Sequence, residues 1–193
     1  MSGKDIVLST FASLVVVSLV GLVALPALYP ALQTTNTKED FGLIAQSKYL
    51  EVSSTAGITD DNVGSFVKVP DTSLNMSISA NSRISATFTS PFIFGIGPNV
   101  TNKRFLFNVS LEVETVGNET ITLSSWNSGT TTSYFEYSST MYIHYLSPKL
   151  SAGNYTINVK YVSSHQESPQ LAYLTLCTNK INQTRSLWVL EMR

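Results

Sequence analysis

From Lys48 onward, apolar side chains recur at alternate positions in short runs broken by turn-forming residues. A period of two marks strands that turn one face to a core and the other to water. It predicts strands at Tyr49–Ser53, Ser65–Val69, Leu74–Ile78, Arg83–Thr89, Arg104–Glu114, Thr120–Ser124, Thr140–Leu146, Tyr155–Tyr161, Leu171–Cys177 and Ser186–Met192. Between them stand Asp60-Asp61-Asn62, Val69-Pro70-Asp71, Ser90-Pro91, Gly97-Pro98-Asn99, Val116-Gly117-Asn118, Asn127-Ser128-Gly129, Ala152-Gly153 and Glu167-Ser168-Pro169. Glycine admits positive φ, proline presets φ, and Asn and Asp side chains close their own turns. No helical period appears after residue 46. About ten short strands over about 145 residues predict an all-β fold, a jelly-roll-like β-sandwich. The last run, SLWVLEM, is apolar on both faces, with Leu187 and Val189 on one and Trp188, Leu190 and Met192 on the other. Such a strand is central in its sheet or lies at a subunit interface.

Upstream the pattern changes. Ile6 to Leu28 reads IVLSTFASLVVVSLVGLVALPAL, without a charged side chain. A helix of that length is roughly 35 Å long, against about 30 Å for a bilayer core. The expected layout is a short head at 1–5, a transmembrane or assembly helix at 6–32, a polar stalk at 33–46 and an extracytoplasmic sandwich at 47–193. Three readings of the run stay open: a retained anchor, a cleaved signal, and a packing helix of a filament. A cleaved signal wants an apolar region of about 7–15 residues and a small-x-small site. Here Leu25 and Tyr29 stand where the small residue before Ala27 or Ala31 is wanted. The order of short charged head, apolar helix and β-rich domain resembles type IV pilins. However, only Gly3-Lys4-Asp5 precedes the run, a poor match to their processing site.

Composition adds the surroundings. Charged residues are 13% of the chain and the net charge is -1, which leaves no basic footprint for nucleic acid. Ser and Thr make up about a quarter of the chain, well above ordinary usage. Six Asn-x-Ser/Thr sequons occur, at Asn75, Asn99, Asn108, Asn118, Asn154 and Asn182. The alternation points Asn75, Asn108 and Asn154 away from the core and puts Asn99, Asn118 and Asn182 in turns. All six are therefore candidate glycosylation sites, and they place the part of the chain after the apolar run outside the cell.

Three segments resemble a β-sandwich domain of virus and phage structural proteins and of archaeal surface proteins. They are SFVKVPDTSLNMSISANSRISATF (65–88), YLSPKLSAGNYTINVKY (145–161) and RSLWVLEM (185–192). The shared pattern is a V-P-x-T-S-L strand leading to an N-S-R turn and a strand, an L-S-A-G-x-Y/H-T strand, and a closing R-S/T-L-x-V-x-E strand. Val69, Pro70, Thr72, Ser73, Leu74, Asn81, Ser82 and Arg83 carry the first part. Leu150, Ser151, Ala152, Gly153, Tyr155 and Thr156 carry the second, and Arg185, Ser186, Leu187, Val189 and Glu191 the last. The resemblance covers about residues 49–193. It implies a jelly-roll-like structural or receptor-binding module, often oligomeric, without catalytic residues. The sequons and the apolar run depart from that pattern and favour a cell or virion surface over a phage tail tip. The charge-poor, hydroxyl-rich composition fits an archaeal host or its virus.

A search for chemistry returns little. His144 and His165 have no second histidine at metal-ligand spacing, and His144 is expected to be half-buried on the side of Tyr142 and Leu146. Asp60-Asp61-Asn62 lacks the spacing of a calcium loop and reads as a capped turn. Glu112 and Glu114 share the outer face of a strand and read as solvated carboxylates. Cys177, the single cysteine, lies in an apolar run and reads as a buried hydrophobe. No cofactor, no metal and no catalytic residue is expected. Trp126, Tyr134, Phe135 and Tyr137 sit in a Gly/Ser/Thr-rich connection and form either a contact loop or the start of an inward-packing strand. The resulting expectation is a membrane-anchored extracellular glycoprotein, not an enzyme, serving as a structural subunit of a cell-surface or virion assembly. It would be held by residues 6–28 and associate with copies of itself. Alternatives are an adhesin or receptor-binding module, a pilin-like filament subunit, and an accessory β-domain of a membrane enzyme complex.

Overall fold

The computed structural model describes residues 43–59, 64–98, 100, 103–127, 134–163, 172–176 and 184–193. The apolar run 6–28, Asp60-Asp61-Asn62, Asn99, His165, Cys177 and Asn182 lie outside these residues. No helix among the described residues is long and apolar enough to cross a membrane.

The alternating runs form ten strands: β1 (Ile44–Val52), β2 (Ala56–Thr59), β3 (Val67–Ile78), β4 (Arg83–Ile96), β5 (Lys103–Val113), β6 (Gly117–Asn127), β7 (Phe135–Leu146), β8 (Gly153–Ser163), β9 (Ala172–Leu176) and β10 (Arg185–Met192). They make two antiparallel sheets. In the first, β4 is the spine: β7 pairs along one edge, while β10 and then β9 follow each other along the other edge. β1 flanks β10 and β2 flanks β9. The second sheet has the order β3-β8-β5-β6. With the short β2 and β9 set aside, the sheets read β1-β10-β4-β7 and β3-β8-β5-β6. This is the interleaving of two Greek keys that defines a jelly roll, so the expected class is met at the level of strand order.

The core lies between the sheets. From the first come Ile84, Phe88, Phe94, Ile143, Leu187 and Val189, and from the second Met76, Phe105, Phe107, Leu111, Ile157 and Val159, all fully buried. Phe94 meets Phe107 edge to face at 5.1 Å, bridging the layers. Side chains of this size contribute about 1.5–3 kcal/mol each when removed from water.

Two expected turns are absorbed into strands. Val69-Pro70-Asp71 lies inside β3 as a bulge: Asp71 has φ 58° and the register against β8 slips between Lys68 and Ser73. The hydroxyl of Thr72 closes the bulge on the Val69 carbonyl at 2.6 Å. Ser65–Val69 and Leu74–Ile78 are therefore largely one strand. Ser90-Pro91 lies inside β4, where its neighbour changes from β10 (Thr89 opposite Ser186) to β9 (Phe92 opposite Leu176). A residue without an N–H is tolerated at such a break in the ladder. β2 was not foreseen, because four residues that include Gly57 carry too short a period to read. β1 begins at Ile44, so the end of the expected stalk already pairs, Ile44 with Met192 and Gln46 with Glu191.

Candidate functional site

The strands give the sandwich two outer faces of opposite character. On the second sheet, most core-facing residues alternate with a hydroxyl, an amide or a charge, with Leu106 and Val162 as apolar exceptions in the outward rows. Asn75 stands beside Thr156, Ser77 beside Asn154, Asn108 beside Thr122, and Asn118 beside Glu112. All four described sequon asparagines thus share this face. Asn75, Asn118 and Asn154 are exposed and Asn108 is half-buried. Asn118 is the second residue of β6, not a turn residue; the turn proper is Glu114–Val116, with Thr115 at φ 64°. The hydroxyl of Thr122 donates to Asn108 Oδ1 at 2.7 Å, and that of Ser77 donates to Asn154 Oδ1.

The charges of this face are tied locally. Lys68 reaches Glu114 at 3.1 Å, and the amide of Asn158 donates to the same oxygen while accepting from the Ser73 hydroxyl at 2.7 Å. Hydrogen bonds from Lys68 and then Asn158 hold the Glu114 carboxyl below its ordinary value. Glu112 pairs with Lys160. The two glutamates therefore stand in separate ion pairs. Among the described residues no group of His, Cys, Asp or Glu could hold a metal ion.

The outer face of the first sheet is aromatic. The register lines up Tyr49 on β1, Trp188 on β10, Thr87 on β4 and His144 on β7 as one row. Glu51, Ser186, Thr89 and Tyr142 form the row on one side of it, and Ser47, Leu190, Ser85 and Leu146 the row on the other. Tyr142 is 62% exposed, Tyr49 59%, Trp188 51% and Leu146 44%, a large apolar fraction for a face that carries few charges. β10 is central, as its two apolar faces foretold: Leu187 and Val189 enter the core while Trp188, Leu190 and Met192 line this face. His144 is on the side of Tyr142 and Leu146 as expected, but it is exposed instead of half-buried. Ser85 Oγ meets its Nε2 at 3.0 Å.

The expected contact loop divides. Tyr137 packs inward, stacked on Phe94 at 5.4 Å and edge-on to Phe92 at 5.9 Å, and burial pushes its hydroxyl pKa up. Tyr134 and Phe135 are exposed at the start of β7. Trp126 lies on β6 opposite Arg104.

Two charged residues at the ends of β10 were not singled out for burial. Arg185 and Glu191 share the inward row of Leu187 and Val189 and are 0% and 2% exposed. Arg185 donates to the Ser54 carbonyl at 2.6 Å, to the Ser54 hydroxyl at 3.1 Å and to the Pro70 carbonyl at 2.7 Å. The β3 bulge is what turns the Pro70 carbonyl toward it. Glu191 accepts from the Ser79 N–H at 2.9 Å, the Ser82 hydroxyl at 2.7 Å and the Gln46 amide at 2.8 Å. Burial alone would raise its carboxyl; these donors and Arg193 outweigh that and bring its pKa to about 2. The two residues clamp opposite ends of the sandwich. Their signal in the sequence was their parity with Leu187 and Val189.

No known protein family matches the chain, and no curated protein matches it. Solved structures do resemble it. One is a structure of infectious bursal disease virus Gx strain, at 10% identity and TM-score 0.39, covering 78% of this chain and 38% of the viral one. Another is the infectious bursal disease virus VP2 subviral particle, at 13% identity and TM-score 0.36, covering 77% and 38%. A third is murine APRIL at pH 5.0, at 13% identity and TM-score 0.32, covering 75% and 99%. The chain thus spans under two fifths of the length of the viral chains. Likenesses at this level are of β-domain layout and assign no role.

Proposed function

We propose that this protein is a non-enzymatic structural subunit of a cell-surface or virion assembly, held in a membrane by residues 6–28, with its jelly roll outside and glycans on the β3-β8-β5-β6 face. The observation that supports it is the sidedness of the sandwich. All four described sequons lie on one polar face, and the opposite face presents Tyr49, Trp188, Tyr142 and Leu146 with few charges. A coat subunit needs one face for water and sugar and another for its neighbours. Mass spectrometry of native material tests it: glycan on Asn75, Asn118 or Asn154, an intact N-terminus that still carries residues 6–28, and a multi-copy particle mass support the reading. Bare sequons, or a monomer in the native surface, overturn it.

Tyr49 beside Trp188 also favours a second reading, an adhesin or receptor-binding module whose aromatic pair stacks on sugar rings. Quenching of Trp188 fluorescence by oligosaccharides at millimolar concentration or below would support that reading.

A further inference from the structure

We infer that the aromatic face pairs with the same face of a second copy about a two-fold axis lying in the face, crossing β10 between Trp188 and Leu190 and passing close to Thr87. This rests on the assembly reading and names the contact within it. Two opposite charges mark the corners of the patch. Glu51 lies on β1 in the row of Thr89, and Arg83 lies six residues further along β4, where it pairs with Met192. With strands about 4.8 Å apart and about 3.4 Å per residue, they stand about 22 Å apart, and the midpoint between them falls on β10 between Trp188 and Leu190. The in-plane axis through that midpoint, perpendicular to the line joining them, places each Glu51 over the second copy's Arg83.

The same axis decides what the aromatics meet. Reflected across it, Trp188 falls over the second copy's Leu190 and Ser85, and Tyr49 falls between its Leu190 and Met192. Trp188 and Tyr49 thus cover side chains of the second copy's β10 and β4 instead of one another, while Tyr142 falls just beyond the edge of its β7. Thr87 and His144 lie beside the axis, each near its own counterpart. This is the self-complementarity an isologous contact requires. Aromatic enrichment with charges only at the corners is also the composition of an interface centre. The sequons lie on the opposite face, so glycans there would not obstruct the approach. The patch measures about 19 by 24 Å, so pairing removes on the order of 900 Å² in total, at the small end for specific complexes. Copies anchored in one surface make up the difference, because tethering raises the effective concentration.

The test uses the full chain in a mild detergent and again in vesicles, with Cys177→Ser so that an introduced thiol is the sole one. Thr87→Cys, and independently His144→Cys, are treated with a short bis-maleimide; Thr122→Cys on the sequon face is the control. The expected result is a covalent dimer through position 87 and through position 144, at least tenfold above the control. Glu51→Arg is expected to abolish it and Glu51→Arg/Arg83→Glu to restore it. Cross-linking no better than the control, or indifferent to the charge reversal, overturns the pairing. If a multi-copy mass persists in that case, the subunits meet through another face and the assembly reading stands. A monomeric mass overturns both.

Discussion

Glu191→Gln removes one negative charge from the end of β10 while preserving shape. The wild-type carboxylate is 2% exposed and takes three hydrogen bonds, from Ser79 N–H, Ser82 hydroxyl and Gln46 amide, with Arg193 Nε at 3.5 Å. A glutamine there keeps one oxygen for Ser79 and Ser82. Its amide then faces the Gln46 amide, donor against donor. Gln46 relieves this only by turning over, which gives up its bond to the Ser77 carbonyl. Hydrogen bonds to a charged group contribute about 1.5–3 kcal/mol each, and glutamine keeps those from Ser79 and Ser82 in neutral form, so the expected loss at pH 7 is about 2 kcal/mol. The pH dependence is specific. The folded carboxyl titrates at about 2 against an ordinary 4.5. Its contribution is therefore fully present above pH 4.5 and declines as pH falls from 4.5 toward 2. Glutamine does not titrate, so the gap between the proteins is expected to close over that window. Urea unfolding followed by near-ultraviolet circular dichroism at pH 7, 4 and 3 measures it. Equal stability at pH 7, or a gap unchanged down to pH 3, refutes the reasoning.

Further outcomes are expected elsewhere. Arg185→Met leaves the Ser54 and Pro70 carbonyls without their buried donor, and a urea midpoint shift equivalent to about 3 kcal/mol is expected. Phe107→Ala opens a cavity at the contact with Phe94 and is expected to cost about 3–5 kcal/mol by the same measurement. At Gly95 an added Cβ would lie 2.2 Å from the Tyr173 ring, so Gly95→Ala must displace that ring and its hydrogen bond to Glu136. The cost, about 1–2 kcal/mol, is expected to shrink in Gly95→Ala/Tyr173→Ala, which a double-mutant cycle reads directly. Thr72→Ala removes the bond that closes the β3 bulge and is expected to lose about 1 kcal/mol in thermal unfolding.

The sequence made the repeated strands readable because most of them face a core on one side only. In β5 the inward row Phe105, Phe107, Val109 and Leu111 leaves no ambiguity of parity. The same clarity placed Asn75, Asn108 and Asn154 outward. Proline misled twice, since at Pro70 and Pro91 local turn chemistry is overridden by a bulge and by a change of neighbouring strand. The aromatic face was harder to see. β7 alternates Met141, Ile143 and Tyr145 with Tyr142, His144 and Leu146, apolar in both rows, so its outer row becomes visible only when the register sets it beside Trp188 and Tyr49. The closing R-S-L-x-V-x-E pattern finds its reason in the same register. Its two charges are the buried clamps at either end of β10, which explains why the residues carrying the resemblance are structural ones.

The most direct measurement is hydroxyl-radical footprinting of the native assembly, read by mass spectrometry at Trp188, Tyr49 and Tyr142 before and after dissociation. Severalfold protection of Trp188 and Tyr49 in the intact assembly, with weaker protection of Tyr142 at the sheet edge, all lost on dissociation while exposed Tyr134 stays unchanged, is the expected result. Equal oxidation in both states would contradict a subunit whose aromatic face is covered by its neighbours.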